Sequence, residues 1–182
     1  MEAVIFCGIQ GAGKSTFFRE RFFDTHVRLN LDMLRTRHRE GILLRACLDG
    51  KQPFVVDNTN PTAADRARYV GPARAARFRV VGYYFRSAVA DALERNAGRD
   101  PCRRVPVAGV LGTHKRLEVP VWSEGFDALH YVRIGDGGAF IVGPFDPPPE
   151  GPPAPPPDES RDESRDAPRD GRPTDTPDDP SP

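Results

Sequence analysis

Eight consecutive residues, Gly8-Ile9-Gln10-Gly11-Ala12-Gly13-Lys14-Ser15, satisfy the pattern G-x-x-x-x-G-K-[ST] at every fixed position. Glycines at that spacing let successive backbone N–H groups turn inward around an anion, and a helix opening at the end of the loop adds the positive end of its dipole. Lys14 supplies a mobile cation for the β- and γ-phosphates of ATP. The Ser15 hydroxyl is the expected ligand of Mg²⁺, which bridges phosphate oxygens and keeps several waters. Gly8, Gly11, Ala12, Gly13, Lys14, Ser15 and Thr16 are therefore expected to form the nucleotide-binding loop.

Three more positions suit phosphoryl transfer. Asp32 and Arg35 lie one helical turn apart, so a carboxylate able to take the proton of an attacking hydroxyl stands beside a guanidinium able to hold an anionic acceptor. Asp57 follows an apolar run and sits where a carboxylate would hold the metal directly or through water. Arg99, from a segment read as a lid over 98–104, can offset charge on the group in flight, with Arg103 and Arg104 as competitors for that role. Each has a plainer assignment: Asp32 as a helix cap with Arg35 facing solvent, Asp57 in an Asx turn with Asn58 and Thr59, the arginines as solvated surface.

The elements that must position these residues alternate along the chain. Ala3 to Cys7 reads as a strand and Ser15 to about Asp24 as a helix, the setting a phosphate loop requires. Val27 to Asn30 is a short strand, and Asp32 follows at its carboxyl end. A second helix over 32–48 is either long or broken near Gly41. Pro53 to Asp57 is a buried strand. Thr62 and Asp65 approximate a capping box, and Gly71-Pro72 is expected to interrupt the helix they open. Phe78 to Phe85 is a strand, Ser87 is expected to cap the helix carrying Arg95 and Arg99, Pro106 opens a last helix, and Tyr131 to Ile134 closes the sheet. Such alternation implies a three-layer α/β sandwich with a central, mostly parallel sheet, whose strand carboxyl ends gather the loop, Asp32 and Asp57 at one edge.

Composition divides the chain. Thirteen of its 20 prolines lie between Pro147 and Pro182, where aromatic residues are lacking and aliphatic ones nearly so; residues 146–182 are expected to be a disordered tail and 1–145 the folded domain. The zero net charge hides the same division, because 11 acidic and 4 basic residues fall beyond Phe145, leaving a core with 22 basic and 15 acidic. A basic core suits polyanionic substrates. Three widely spaced cysteines, no leader-like segment and no apolar run of membrane-spanning length lead to the expectation of a cytoplasmic protein without a membrane partner.

Taken in order, Gly8–Ser15, Asn30-Leu31-Asp32-Met33-Leu34-Arg35, Val55-Val56-Asp57-Asn58-Thr59-Asn60 and Glu94-Arg95-Asn96-Ala97-Gly98-Arg99 resemble the kinase domain of polynucleotide kinases, and Lys115-Arg116-Leu117-Glu118-Val119-Pro120 with Glu124-Gly125-Phe126 resembles the same domain in the polynucleotide kinase/phosphatases. The resemblance implies transfer of the ATP γ-phosphate to a 5′-hydroxyl of DNA or RNA. Asp32 then matches the general base, Arg35 the contact to the acceptor phosphate, Asp57 the second acidic position, Arg99 the lid arginine, and Arg95 a position nearer the nucleotide. No D-x-D-G-T phosphatase signature is present, and the short span between Asp32 and Asp57 favours a smaller acceptor. The alternatives are a kinase for a nucleoside, sugar or other small hydroxyl compound, and a non-catalytic ATP-binding module that binds nucleic acid.

Overall fold

The computed structural model describes residues 1–146; the tail from 147 onward, where disorder is expected, lies outside the described residues. Six strands form one sheet: β1 (Glu2–Cys7), β2 (Val27–Leu29), β3 (Phe54–Val56), β4 (Arg79–Phe85), β5 (Ala128–Ile134) and β6 (Phe140–Pro144). Their spatial order is β2-β3-β1-β4-β5-β6, parallel throughout except for β6, which runs antiparallel to β5. The α/β sandwich with a mostly parallel sheet is thus the one the alternation of elements predicts.

β1 lies at the centre because it is apolar on both faces, with Ala3, Val4, Ile5 and Phe6 essentially inaccessible. Its alternate side chains feed two cores. Ala3 and Ile5 join Leu29, Phe54, Val56 and Val80 beneath α3 (Arg37–Asp49) and α4 (Ala63–Ala75), which contribute Cys47, Tyr69, Val70 and Ala73. Val4 and Phe6 join Val55, Val81, Phe85 and Val132 beneath α1 (Lys14–Arg21), α5 (Val89–Ala97) and α6 (Val107–Lys115), through Phe17, Phe18, Ala92 and Val110. Phe6 meets Phe17, Phe22, Tyr83 and Phe85 with ring centroids 5.1–6.0 Å apart. Each such ring contributes about 1.5–3 kcal/mol by burial, which fixes α1, and the loop before it, against the sheet.

Several boundaries differ from the sequence expectation. The second helix breaks at Arg35, not near Gly41: Asn30 caps a single turn, α2 (Leu31–Leu34), Arg35 ends it in the left-handed region at φ 71°, and the Thr36 hydroxyl accepts from the Arg39 N–H to start α3, which runs through Gly41. α4 opens at the Thr62 cap as expected but continues through Gly71-Pro72 to Ala75, because Tyr69, Val70 and Ala73 hold it to the sheet on both sides of the proline. Ser87 does not cap α5; the cap position is Ala88, and the Ser87 hydroxyl instead donates to Phe85 O and accepts from Ile9 N. α1 ends at Arg21 rather than near Asp24. Phe140-Ile141-Val142 adds an edge strand after the Gly137-Gly138 turn, where the expected sheet closed at Ile134.

Candidate functional site

The carboxyl ends of β1, β2 and β3 open into a cleft of about 570 Å³. Its walls include Gly11, Gly13, Lys14, Ser15 and Thr16 from the loop, Asp32 from α2, and Asp57 to Pro61 after β3. The loop's form depends on glycine at two places in particular. Gly11 has φ 81° and a Cβ there would stand 2.5 Å from Ala92 O of α5; Gly13 has φ 95° and caps α1 from the left-handed region. The turn is tied from below, since Gly8 N donates to Thr59 O and Arg95 Nε donates to Gly11 O at 2.7 Å.

Lys14 folds back along its own loop. Its Nζ donates to Gly8 O at 2.9 Å and Ile9 O at 2.7 Å, and only 8 % of the residue is exposed. Burial lowers its pKa to about 8, against the pull of Asp57, which favours the charged form. Ser15 Oγ donates to Asp57 Oδ2 at 2.9 Å, so the hydroxyl and carboxylate expected to share a metal lie together. Both are hard oxygen donors beside the glycine loop, which fits Mg²⁺ bound by few protein ligands and by substrate phosphates; among the described residues no group of three or more His, Cys, Asp or Glu offers an all-protein cage.

Asp57 has a further partner that sequence reasoning missed. Arg28, the middle residue of β2, donates to Asp57 Oδ2 through Nε at 2.9 Å and also through NH2, while its guanidinium lies 5.3 Å from the centre of the Phe18 ring. The signal was faint: in Val27-Arg28-Leu29 the alternation turns Leu29 into the core beneath α3 and α4 and leaves Arg28 on the α1 side.

Asp32 is exposed at the mouth of the cleft, on the helix that Asn30 caps. Its turn is positioned by two asparagines. Asn30 Nδ2 donates to Asp57 O and Asn30 Oδ1 accepts from Met33 N, while Asn58 Oδ1 accepts from Leu31 N at 2.9 Å. Asn58 is in turn held by Glu40, buried in α3, at 2.8 Å and by the Tyr69 hydroxyl at 3.2 Å. Burial and the Glu40 carboxylate push the Tyr69 pKa up to about 12, so Tyr69 stays a hydroxyl that donates to Glu40.

The cations are partly redistributed from the sequence expectation. Arg35, cast as the acceptor contact, is exposed at the left-handed end of α2 and does not line the cleft, because the chain reverses there. Arg37, two residues on, does line it; its NH1 donates to Glu40 and to the Tyr69 hydroxyl, both at 2.8 Å. The run of basic residues from Arg35 to Arg39 carried that signal, but the break in the helix decides which member faces inward. Arg99 and Arg103 reach the cleft from the expected lid, Arg104 does not, and Arg116 beyond α6 joins them without having been singled out from sequence. Arg95 belongs instead to a separate small recess with Ala12, Arg86, Asp91, Arg133 and Ile134.

Behind the cleft, Arg66 is fully buried and bidentate to Glu124, at 2.6 and 2.7 Å, and also donates to the carbonyls of Asn60, Pro61 and Glu118. It clamps the D-N-T-N turn to the segment before β5. The same turn accepts at Asn60 O from the Cys7 thiol, whose pKa burial raises to about 11.

The AAA domain family matches residues 4–120, from β1 to the segment following α6, and so spans the strand, glycine loop, helix and strand-end carboxylates of this cleft. The chain belongs to the AAA domain family. Among solved structures this AAA domain resembles Kti12 of Chaetomium thermophilum in complex with ADP-AlF3, at 16 % identity and TM-score 0.56, covering 74 % of this chain and 90 % of that one. It is similar also to a gluconokinase of Sinorhizobium meliloti 1021, at 16 % identity and TM-score 0.54 over 74 % and 83 % of the two chains. A third likeness is to the PezAT toxin-antitoxin system of Streptococcus pneumoniae, at 11 % identity and TM-score 0.55 over 77 % and 70 %. At these identities the likeness is one of fold, and this AAA domain has a kinase-like P-loop fold. Among its described residues no helix is long and apolar enough to cross a membrane.

Proposed function

We propose that this AAA domain is an ATP-dependent phosphotransferase that moves the γ-phosphate to a 5′-hydroxyl of a polynucleotide. The observation that carries the reading is the convergence, around one cleft, of the phosphate loop, the exposed Asp32 carboxylate and four arginines, Arg37, Arg99, Arg103 and Arg116. In this reading the loop N–H groups and Lys14 hold the triphosphate. Ser15 and Asp57 would hold Mg²⁺, which supplies compensation for phosphate charge. The acceptor hydroxyl oxygen attacks the γ-phosphorus, its proton passes to the Asp32 carboxylate, the bond from γ-phosphorus to the bridging oxygen breaks, and ADP departs. Arg99 and Arg103 offset the charge on the phosphoryl group, and Arg37 and Arg116 present cations to an anionic acceptor.

A second reading, a small hydroxyl acceptor, is favoured by the short span of chain between Asp32 and Asp57. Transfer of labelled γ-phosphate from ATP in Mg²⁺, compared across a 5′-hydroxyl oligonucleotide, a 3′-phosphorylated nucleoside and a panel of small alcohols, separates the two. Labelling of the oligonucleotide is expected; labelling of small alcohols alone would transfer the mechanism to the second reading, and labelling of none would remove kinase activity altogether.

A further inference from the structure

The carboxylate of Asp57 holds a cation as well as the Ser15 hydroxyl. Asp57 Oδ2 accepts from Ser15 Oγ and from both Nε and NH2 of Arg28, and the Asp57 side chain is only 1 % exposed. Arg28 is fixed from two further directions, by its strand register beside Val55 and by the face of Phe18 beneath its guanidinium. Such a guanidinium neutralises the one carboxylate that a metal at Ser15 would use. A divalent ion arriving alone would have to displace a hydrogen-bonded partner and face a fixed positive charge in a partly desolvated site, with only a hydroxyl in return.

A nucleotide reverses that balance. Phosphates held by the loop would bring several negative charges beside Ser15 and Asp57, enough to accommodate Lys14, the metal and Arg28 together. We propose that Arg28 is a built-in counter-ion that holds Asp57 in the nucleotide-free protein and excludes free divalent metal, so that Mg²⁺ enters only together with nucleotide. The inference rests on the reading that Ser15 and Asp57 hold the metal. Arg28 acts here through Asp57, as a positioning residue.

The test titrates Mn²⁺ into the full chain without nucleotide, following the free-ion electron paramagnetic resonance signal, and in parallel measures ADP affinity with and without Mg²⁺. Arg28→Gln, which keeps a donor for Asp57 but removes the charge, and Arg28→Met, which keeps the stem over Phe18, are compared with wild type after thermal melting shows which are folded. Removing one charge a few ångströms from the ion should tighten nucleotide-free Mn²⁺ binding by about tenfold or more, and adding Asp57→Asn should abolish the gain. Mn²⁺ binding equally tight in wild type and both variants, with ADP affinity still dependent on Mg²⁺, overturns the role of Arg28 alone. ADP affinity independent of Mg²⁺ in every protein overturns the metal assignment to Ser15 and Asp57, and the inference with it.

Discussion

Raising the pH from 7 to 9 should weaken nucleotide binding through Lys14 alone. Burial holds its pKa down to about 8, with the ammonium on the carbonyls of Gly8 and Ile9. Bound phosphates favour the charged form, so the pKa rises on binding and the complex takes up a proton wherever the free lysine has lost it. With a free pKa near 8, about nine-tenths of the protein carries the charge at pH 7 and about one-tenth at pH 9. ADP is the suitable ligand, since a terminal phosphate with a second pKa of about 6 is already ionised across that range. The dissociation constant should rise about tenfold between pH 7 and 9, which is about 1.4 kcal/mol. Calorimetry in two buffers of different ionisation enthalpy should show uptake approaching one proton per ADP at pH 9 and about a tenth of that at pH 7. Lys14→Met should bind weakly and without this slope. A flat affinity in the wild type from pH 7 to 9, or proton release on binding, would refute the assignment.

The same shift bears on folding, with a definite sign. Between the folded value of about 8 and the ordinary value of 10.5 the unfolded chain holds the Lys14 proton that the folded one has released, so this term makes stability rise with pH. Cys7 opposes it above its ordinary value of 9.0, because its thiol, raised to about 11, keeps a proton that the unfolded chain loses. The Lys14 contribution therefore stands clear of the Cys7 one only from about pH 8 to 9.

Asp32→Asn should slow phosphate transfer by about 10²- to 10⁴-fold while ADP affinity stays within error, since Asp32 is exposed at the mouth of the cleft; parallel loss of ADP affinity would mark a structural role instead. Arg37→Gln should raise the KM of a 3′-phosphorylated acceptor by about ten- to a hundredfold, the worth of one charged hydrogen bond, with Arg35→Gln nearly silent; the reverse order in steady-state kinetics would return the contact to Arg35. Glu124→Ala leaves Arg66 buried without its carboxylate and should cost about 3–5 kcal/mol in urea denaturation; a loss below about 1 kcal/mol would mean that the four carbonyl and thiol partners of Arg66 suffice.

Where one segment decides a feature, the sequence was a good guide. Residues 3–7 are apolar on both faces and precede the glycine loop, so a central parallel strand and its phosphate loop were legible, as were a buried strand over Phe54–Val56 and the Thr62 cap of α4. Features set by distant partners were not. Gly41 is a stronger helix breaker than Arg35, yet the break falls at Arg35: Asn58, across the sheet edge, holds Leu31 N where the short α2 begins, and Arg35 ends it at φ 71°. Pro72 looks terminal until Tyr69, Val70 and Ala73 are seen packed on the sheet. Ser87 has the composition of a cap, but the approach of Gly8 and Ile9 draws its hydroxyl to the phosphate loop. Arg28, Arg66 and Arg116 belong to an arginine-rich background in which only tertiary position separates the buried and cleft-lining members from the solvated ones.

The groups that would meet ligand have partners within the protein. Lys14 rests on the loop carbonyls, Ser15 and Arg28 rest on Asp57, and Arg37 rests on Glu40 and Tyr69. Binding is then largely an exchange of charge-assisted hydrogen bonds, and its net free energy is the difference between two sets. Arg37 keeps its partners while presenting the rest of its guanidinium to the cleft, so it is preorganised and loses little entropy when an anion arrives. Lys14 and Asp57 must give up contacts before they accept new ones. Discrimination against incomplete ligands follows from that asymmetry: metal alone compensates neither Arg28 nor Lys14, whereas nucleotide with metal compensates both. Measured as a thermodynamic cycle, Mg²⁺ and ADP should therefore bind with strong positive coupling, and each should tighten the other by the same factor. Mg²⁺ binding to the protein–ADP complex no more tightly than to free ADP would show that the protein adds nothing to the pairing.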